Sequence, residues 1–384
     1  MKKCTQALAF LILLIAAKSA ACAGTYTTLY QLNGTPDGGV PSGGVIMDAS
    51  GTLYGETAQG GTAPCNSNHG LPDHGCGTVY SLSPSGVFTV LTSFHGKNGA
   101  YGTSGLTLVG STLIGATING GAHDDGVVYV IKTDGTGFKL VHQFVGTDGY
   151  QPIGPLIPGK DGVYYGITSG GGSGYPSQSP GVLFSINSQG VFRVLHTFSA
   201  TGGYSPTTLR ASPSGTLVGG TFYGGPANKD YCPQGCGVVF SFNPSNLQYT
   251  VVQTFDGVTG EQPYIGSVGP DGTIYGNNEN LFSISSAGVY QVLGSSNAGV
   301  GSLPESGPTL APNGTLYGTY TQNGGFYNAG TLYSYSAGTF SLDYTFGTDG
   351  APPASQPIVT PSGAVIGTTN LSSCSCGTIY EYTP

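Results

Sequence analysis

The chain repeats itself about every 50 residues. GTLYG stands at residues 51–55 and again at 314–318, and looser copies fill the interval: STLIG (111–115), GVYYG (162–166), GTLVG (215–219), GTIYG (272–276) and GAVIG (363–367). Their closing glycines are Gly55, Gly115, Gly166, Gly219, Gly276, Gly318 and Gly367, spaced 42 to 60 residues apart. A period of this length identifies an array of supersecondary units and outweighs any argument from length.

Each copy carries companions. A short apolar run precedes it, a second follows it (GTVYSL, GVVYVI, GVLFSI, GVVFSF, NLFSI, GTLYSY, GTIYEY), and six copies add a fourth, such as GVFTVLTSF or GVFRVLHTF. The runs are rich in Val, Ile, Thr, Tyr and Phe and bounded by Gly, Pro, Asn, Asp and Ser, which is the signature of strands and turns. Four short strands per repeat predict an all-β, seven-bladed β-propeller with four antiparallel strands per blade. The seventh copy ends without its fourth strand, and GTYTTLYQL (24–32) aligns with GVFTVLTSF (86–94). The ring is therefore expected to close by the N-terminal strand 25–32 completing the last blade, which removes two open sheet edges. Expected blade limits are 42–94, 104–144, 154–198, 207–255, 265–296, 306–346 and 356–382, in a single domain 24–384.

Residues 1–23 read as a signal peptide: Lys2 and Lys3, then ALAFLILLIAA, then the small-x-small ACA at 21–23. The protein is expected to be secreted or periplasmic, with lipoprotein anchoring through Cys22 as the minority alternative. No other stretch is long and apolar enough for a transmembrane helix. Without Lys2, Lys3 and Lys18 the chain keeps 18 acidic and 7 basic residues. That balance disfavours nucleic acid and anionic membrane as partners, since both require clustered Lys and Arg. Charged residues make up only 7% of the chain, so candidates for acid–base chemistry are few.

Six cysteines follow the leader: Cys65, Cys76, Cys232, Cys236, Cys374 and Cys376. All fall between the second and third strands of their blades, and an exported chain favours disulfides there. Only one residue separates Cys374 from Cys376, which strains a direct bridge, so their pairing stays open. His69 and His74 between the first couple suggest zinc, but the sister loops lack histidine, which favours disulfides.

The unit GTLYGETAQGG…GCGTVYSL (51–82), with DGVYYGITSGGG…GVLFSI (161–186) and NGTLYGTYTQNGG…GTLYSY (313–335), resembles the bacterial GloVer tandem repeat, named for Gloeobacter and Verrucomicrobia. The resemblance spans nearly all of the chain after residue 23. It implies an exported protein, often surface-anchored at its C-terminus, with no established activity. Because this chain runs to Pro384 directly after a strand, that form of anchoring is not expected here.

In a propeller, the loops from second to third strand and those from blade to blade share one face. Both sets are long here, and loops on a rigid scaffold concentrate function. Tyr101, Tyr150 and Tyr204 stand in corresponding blade-to-blade loops, with Tyr264 near the next, among Asn, Gln, Ser and Thr. Such residues suit a neutral sugar, with rings stacking on its apolar face and amides bonding its hydroxyls; the competing reading is that the tyrosines wedge between blades. Glu56, Glu261 and Glu305 depart from the repeat and are weak catalytic candidates, since glycoside hydrolysis needs two carboxylates across the scissile bond; Glu279 departs likewise. Asp124, Asp125 and Asp148 are weak candidates for Ca²⁺, which takes oxygen ligands, although Asp before Gly commonly serves a turn. His142 and His196 occupy matching outer-strand positions and are expected to face solvent. The expected function is a non-catalytic extracellular binding or scaffold module for polysaccharide or a surface protein. The alternatives are a carbohydrate-active hydrolase or lyase and a purely structural envelope protein. The oligomeric state is not legible.

Overall fold

A computed structural model describes residues 24–384 except 42, 66–74, 103–104, 176–178, 231, 296–303, 305, 323–329, 348–351 and 372–375. Seven four-stranded antiparallel sheets form a ring. Six of them take their strands in chain order, four at a time, from β2 (Val45–Met47) to β25 (Thr339–Thr345). The seventh is β26 (Ile358–Val359), β27 (Val365–Leu371), β28 (Cys376–Thr383) and, outermost, β1 (Thr25–Leu32). The protein is a seven-bladed β-propeller closed by its N-terminal strand, as the alignment of 24–32 predicts. Among the described residues no helix is long and apolar enough to cross a membrane.

The repeated glycine has a packing reason. In every blade it is the direct cross-strand partner of a third-strand aromatic: Gly55 with Tyr80, Gly115 with Tyr129, Gly166 with Phe184, Gly219 with Phe240, Gly276 with Phe282, Gly318 with Tyr333 and Gly367 with Tyr380. The far end of each ring reaches its glycine, so that a Cβ there would come within 2.3–2.5 Å of the ring or its hydroxyl. All seven aromatics are fully buried. Glycine within a strand is tolerated where another group must approach the backbone closely.

Successive blades also stack at their outer strands. His142 lies flat on Phe192 (3.9 Å between centroids, 3°) and His196 on Tyr249 (4.0 Å, 6°). The closing strand repeats the device on both sides: Tyr26 stacks on Tyr344 of blade 6 (4.2 Å) and Tyr30 on Phe88 of blade 1 (4.3 Å). His142 and His196 are thus half-buried interblade residues rather than solvent-facing ones. The expectation failed because a planar imidazole can serve the same stacking role as an aromatic ring.

At the axis, side chains on the innermost strands bond carbonyls of the next blade. Thr107 Oγ1 donates to Leu156 O (2.5 Å), Ser267 Oγ to Pro308 O (2.9 Å) and Thr309 Oγ1 to Pro357 O (2.5 Å). Arg210 takes the same place in blade 4, donating through Nε to Gly266 O (2.8 Å), and its Nη2 reaches Gln356 Oε1 of blade 7. Gln356 Nε2 in turn donates to Thr309 Oγ1 and Gly266 O. Burial moves the Arg210 guanidinium down to about 10, so it stays charged at neutral pH. These bonds supply partners to inner-edge groups that no strand covers.

Candidate functional site

On the loop-rich face, the second-to-third loops of blades 1 to 4 each carry a glycine pair. The second glycine donates its N–H to the blade-to-blade loop: Gly61 to Gly34 O, Gly121 to Gly96 O, Gly172 to Gly146 O and Gly225 to Ala200 O. Both glycines of each pair have φ between 76° and 102°, a region that only glycine enters at little cost. The two loop sets are thereby locked together, and the side chains they present are held by main chain.

A second repeated contact joins neighbouring blades at five of the seven boundaries among the described residues. The N–H groups of Val40, Tyr101, Gln151, Ser205 and Gln262 donate to the carbonyls of Cys376, Cys76, Asp125, Pro180 and Cys236. All five donors have φ of 51–60°. This register corrects the grouping of the four tyrosines. Tyr101 corresponds to Gln151 and Ser205, one position after Tyr150 and Tyr204, and its ring packs half-buried against the core shared by blades 1 and 2. Tyr264, paired with Asn277, stands two positions after Gln262, whereas Tyr150 and Tyr204 stand one position before Gln151 and Ser205.

Tyr150 and Tyr204 do form an aromatic surface, with partners from their own blades. Tyr150 meets Tyr175 edge-on at 5.8 Å, and Tyr204 stacks on Tyr223 at 5.1 Å, with Phe222 beside Tyr223 at 4.7 Å. Tyr175 is exposed, and Tyr150, Tyr204, Phe222 and Tyr223 are half-buried. The Tyr204 hydroxyl donates to Gln234 Oε1 (3.1 Å). Between blades 4 and 5 a pocket of 330 Å³ is walled by Phe222, Tyr223, the Cys232–Cys236 bridge, Gln234, Glu261 and Gln262. Sequence reasoning missed Tyr223, Tyr175, Gln234 and Gln262. One signal was available: Tyr223 precedes its glycine pair where other copies have Gln59, Asn119 or Gly170.

The carboxylates separate into used and unused. Glu56 is completely buried between blades 1 and 2. Its Oε1 accepts from the Tyr129 hydroxyl (2.5 Å) and its Oε2 from Gly105 N (3.0 Å). Burial raises its pKa from 4.5 to about 7, the two hydrogen bonds pulling the other way. The weak catalytic candidate Glu56 therefore does not reach the loop-rich face: its carboxylate is bonded inside the blade boundary. Glu261 does line the pocket, half-buried, and its pKa is raised by burial and then by the charge of Glu279, which is exposed. Glu305 lies outside the described residues.

The proposed calcium ligands do not converge. Asp124 Oδ1 is taken by Gly120 N (2.7 Å), while the Asp125 carbonyl accepts from Gln151 N. Asp148 binds His142 Nε2 (3.0 Å) and Val145 N (2.9 Å), contacts that hold its pKa below the usual carboxylate range against its burial. Among the described residues, the one grouping of three possible metal-ligand atoms is Cys232, Cys236 and Glu261, and there the sulfurs are joined. Cys65 pairs with Cys76, and Cys376 is disulfide-bonded; Cys374, His69 and His74 lie outside the described residues. Disulfides suit a non-reducing compartment.

The chain belongs to the Gloeobacter/Verrucomicrobia repeat family, whose model matches residues 65–280, more than half of its length. No curated protein matches it. Among solved structures it is similar to a streptogramin B lyase (13% identity, TM-score 0.61, covering 93% of this chain and 97% of that one). It is also similar to a catalytically inactive variant of virginiamycin B lyase from Staphylococcus aureus with quinupristin (13%, 0.62, 94% and 100%). A third is an oligogalacturonate lyase in complex with manganese (14%, 0.54, 94% and 97%). At such identities the likeness speaks to the fold, which hosts unrelated functions.

Proposed function

We propose that this member of the repeat family is an exported binding module that holds a polysaccharide on its loop-rich face, over blades 3 to 5. The observation that carries this reading is the pair of accessible aromatic surfaces, Tyr150 with Tyr175 and Tyr204 with Tyr223, beside the amides of Gln234 and Gln262. Aromatic faces cover the C–H face of a sugar ring, and amides bond its hydroxyls from the side. The glycine-locked loops pre-organise these groups, which lowers the ordering cost of binding.

The test is retention of residues 24–384 on a panel of immobilised polysaccharides, with and without calcium. Retention on one glycan, reduced about tenfold by Tyr223→Ala on the loss of one stacking contact and its buried area, supports the reading. Failure on every glycan overturns it in favour of a surface-protein partner or a structural role.

The pocket carboxylate Glu261 supports a second reading, a carbohydrate-active hydrolase or lyase. The lyases named above share its fold. Hydrolysis by paired carboxylates would require Glu261 to work with Glu279. Release of new sugar ends that Glu261→Gln abolishes favours the enzyme; retained binding with no release favours the module.

A further inference from the structure

Most of the carboxylates singled out in the sequence are satisfied by the protein itself. Glu56 has Tyr129 and Gly105, Asp124 has Gly120, and Asp148 has His142 and Val145. Glu261 differs. Among the described residues its carboxylate accepts no hydrogen bond and has no ion pair; the charge acting on it is that of Glu279, which repels it. It is nonetheless half-buried in a pocket wall with no Lys or Arg among the described lining residues. A partly desolvated carboxylate beside a like charge is a standing demand for a cation.

The rest of the pocket restricts which cation. Calcium needs six to eight oxygen ligands, and two of the lining residues are cysteines joined through sulfur. Phe222 and Tyr223 offer an aromatic wall, which attracts a cation as well as covering a sugar ring. Gln234 and Gln262 can bond hydroxyls. At 330 Å³ the space is at the small end of ligand pockets, about 300–1,000 Å³, a size for a short stretch of sugar rings.

We propose that the pocket between blades 4 and 5 takes an amino sugar with a free ammonium group, its charge on Glu261 and its ring against Tyr223. This inference rests on the polysaccharide reading and specifies its ligand. Uronate polymers, which bring a carboxylate to a wall that already carries one, are rejected at this pocket.

The experiment is calorimetric titration of the intact chain at about pH 6, where an amine of ordinary basicity is protonated. The probes are oligomers of glucosamine (cationic), N-acetylglucosamine (neutral) and galacturonic acid (anionic), with polylysine as a non-sugar cation. Expected is a preference of tenfold or more for glucosamine over its acetylated form, with no binding of galacturonate. Glu261→Gln, confirmed folded by its melting temperature, should remove the preference and keep the neutral binding. Glu279→Gln, at an exposed position, should weaken the preference without abolishing it. Equal binding of the two hexosamines, or a preference that survives Glu261→Gln, overturns the inference and leaves the polysaccharide reading standing. Binding of polylysine with no sugar bound overturns both.

Discussion

The Tyr129 hydroxyl of blade 2 donates a 2.5 Å hydrogen bond to Glu56 Oε1 of blade 1. Between blades 5 and 6 the same relationship recurs: Asn277 Nδ2 donates to the Tyr333 hydroxyl (2.8 Å). Glu56 and Asn277 both directly follow the repeated glycine. Where the next blade's third strand carries Phe184, Phe240 or Phe282, that position holds Ala116, Ile167 or Gly220, with no polar side chain. Where the next blade has tyrosine it is polar throughout: Glu56, Asn277, Thr319 and Thr368. Glu56 is thus a blade-to-blade fastener, and its departure from the repeat follows from its neighbour's hydroxyl.

A buried carboxylic acid with a pKa near 7 makes stability depend on pH. Because the folded value lies above the unfolded one, the contribution of Glu56 is full below about 4.5 and is lost as pH rises through about 7. A shift of this size corresponds to roughly 3 kcal/mol. Thermal melts of Glu56→Gln and the parent should therefore diverge with pH, the variant gaining relative stability between pH 5 and pH 8. Parallel pH profiles would contradict the assignment.

The tyrosine hydroxyls are not equivalent. Tyr129→Phe removes a donor from buried Glu56 and should cost about 1–3 kcal/mol. The Tyr80 hydroxyl is buried with no hydrogen-bond partner among the described residues, so Tyr80→Phe should be neutral or slightly stabilising. Denaturant midpoints of the two variants, measured side by side, decide this.

Removing residues 24–32 should open the ring. It uncovers β28 along its length and takes away the rings that stack on Tyr344 and Phe88. An unpaired hydrophobic edge invites association, so the truncated chain should aggregate in light scattering where the parent stays dispersed. A monodisperse truncated chain would refute closure by this strand.

Arg210 spans blades 4, 5 and 7 through Gly266 and Gln356. Lysine keeps the charge but cannot present two directed N–H groups from a planar fork. Arg210→Lys should therefore lose about 1–3 kcal/mol, read as a lower denaturant midpoint, while glycan retention is unchanged.

Blade number, strand order and ring closure were legible in the sequence because they are local and repeated. A strand's β-propensity and its bounding glycines act within a few residues, and seven copies let the spacing of Gly55, Gly115 and their successors be read directly. The alternation after the repeated glycine was legible too, once the partner position was known. The binding face was less so. Tyr101 sits one position out of register with Tyr150 and Tyr204, and the spacing of loop residues does not disclose which N–H bonds the preceding blade.

What the sequence determined by itself is the repeating unit, and with it the propeller, since each strand's preference and each turn's glycine are short-range properties. Which side chains meet across a blade boundary was decided only by the tertiary structure. Glu56 became an internal fastener and Glu261 an unsatisfied pocket carboxylate because burial, desolvation and hydrogen-bond partners come from other segments of the chain: Gly105 and Tyr129 for Glu56, residues 222–236 and Glu279 for Glu261. Two glutamates that look alike in the sequence acquire opposite roles when the ring closes around them.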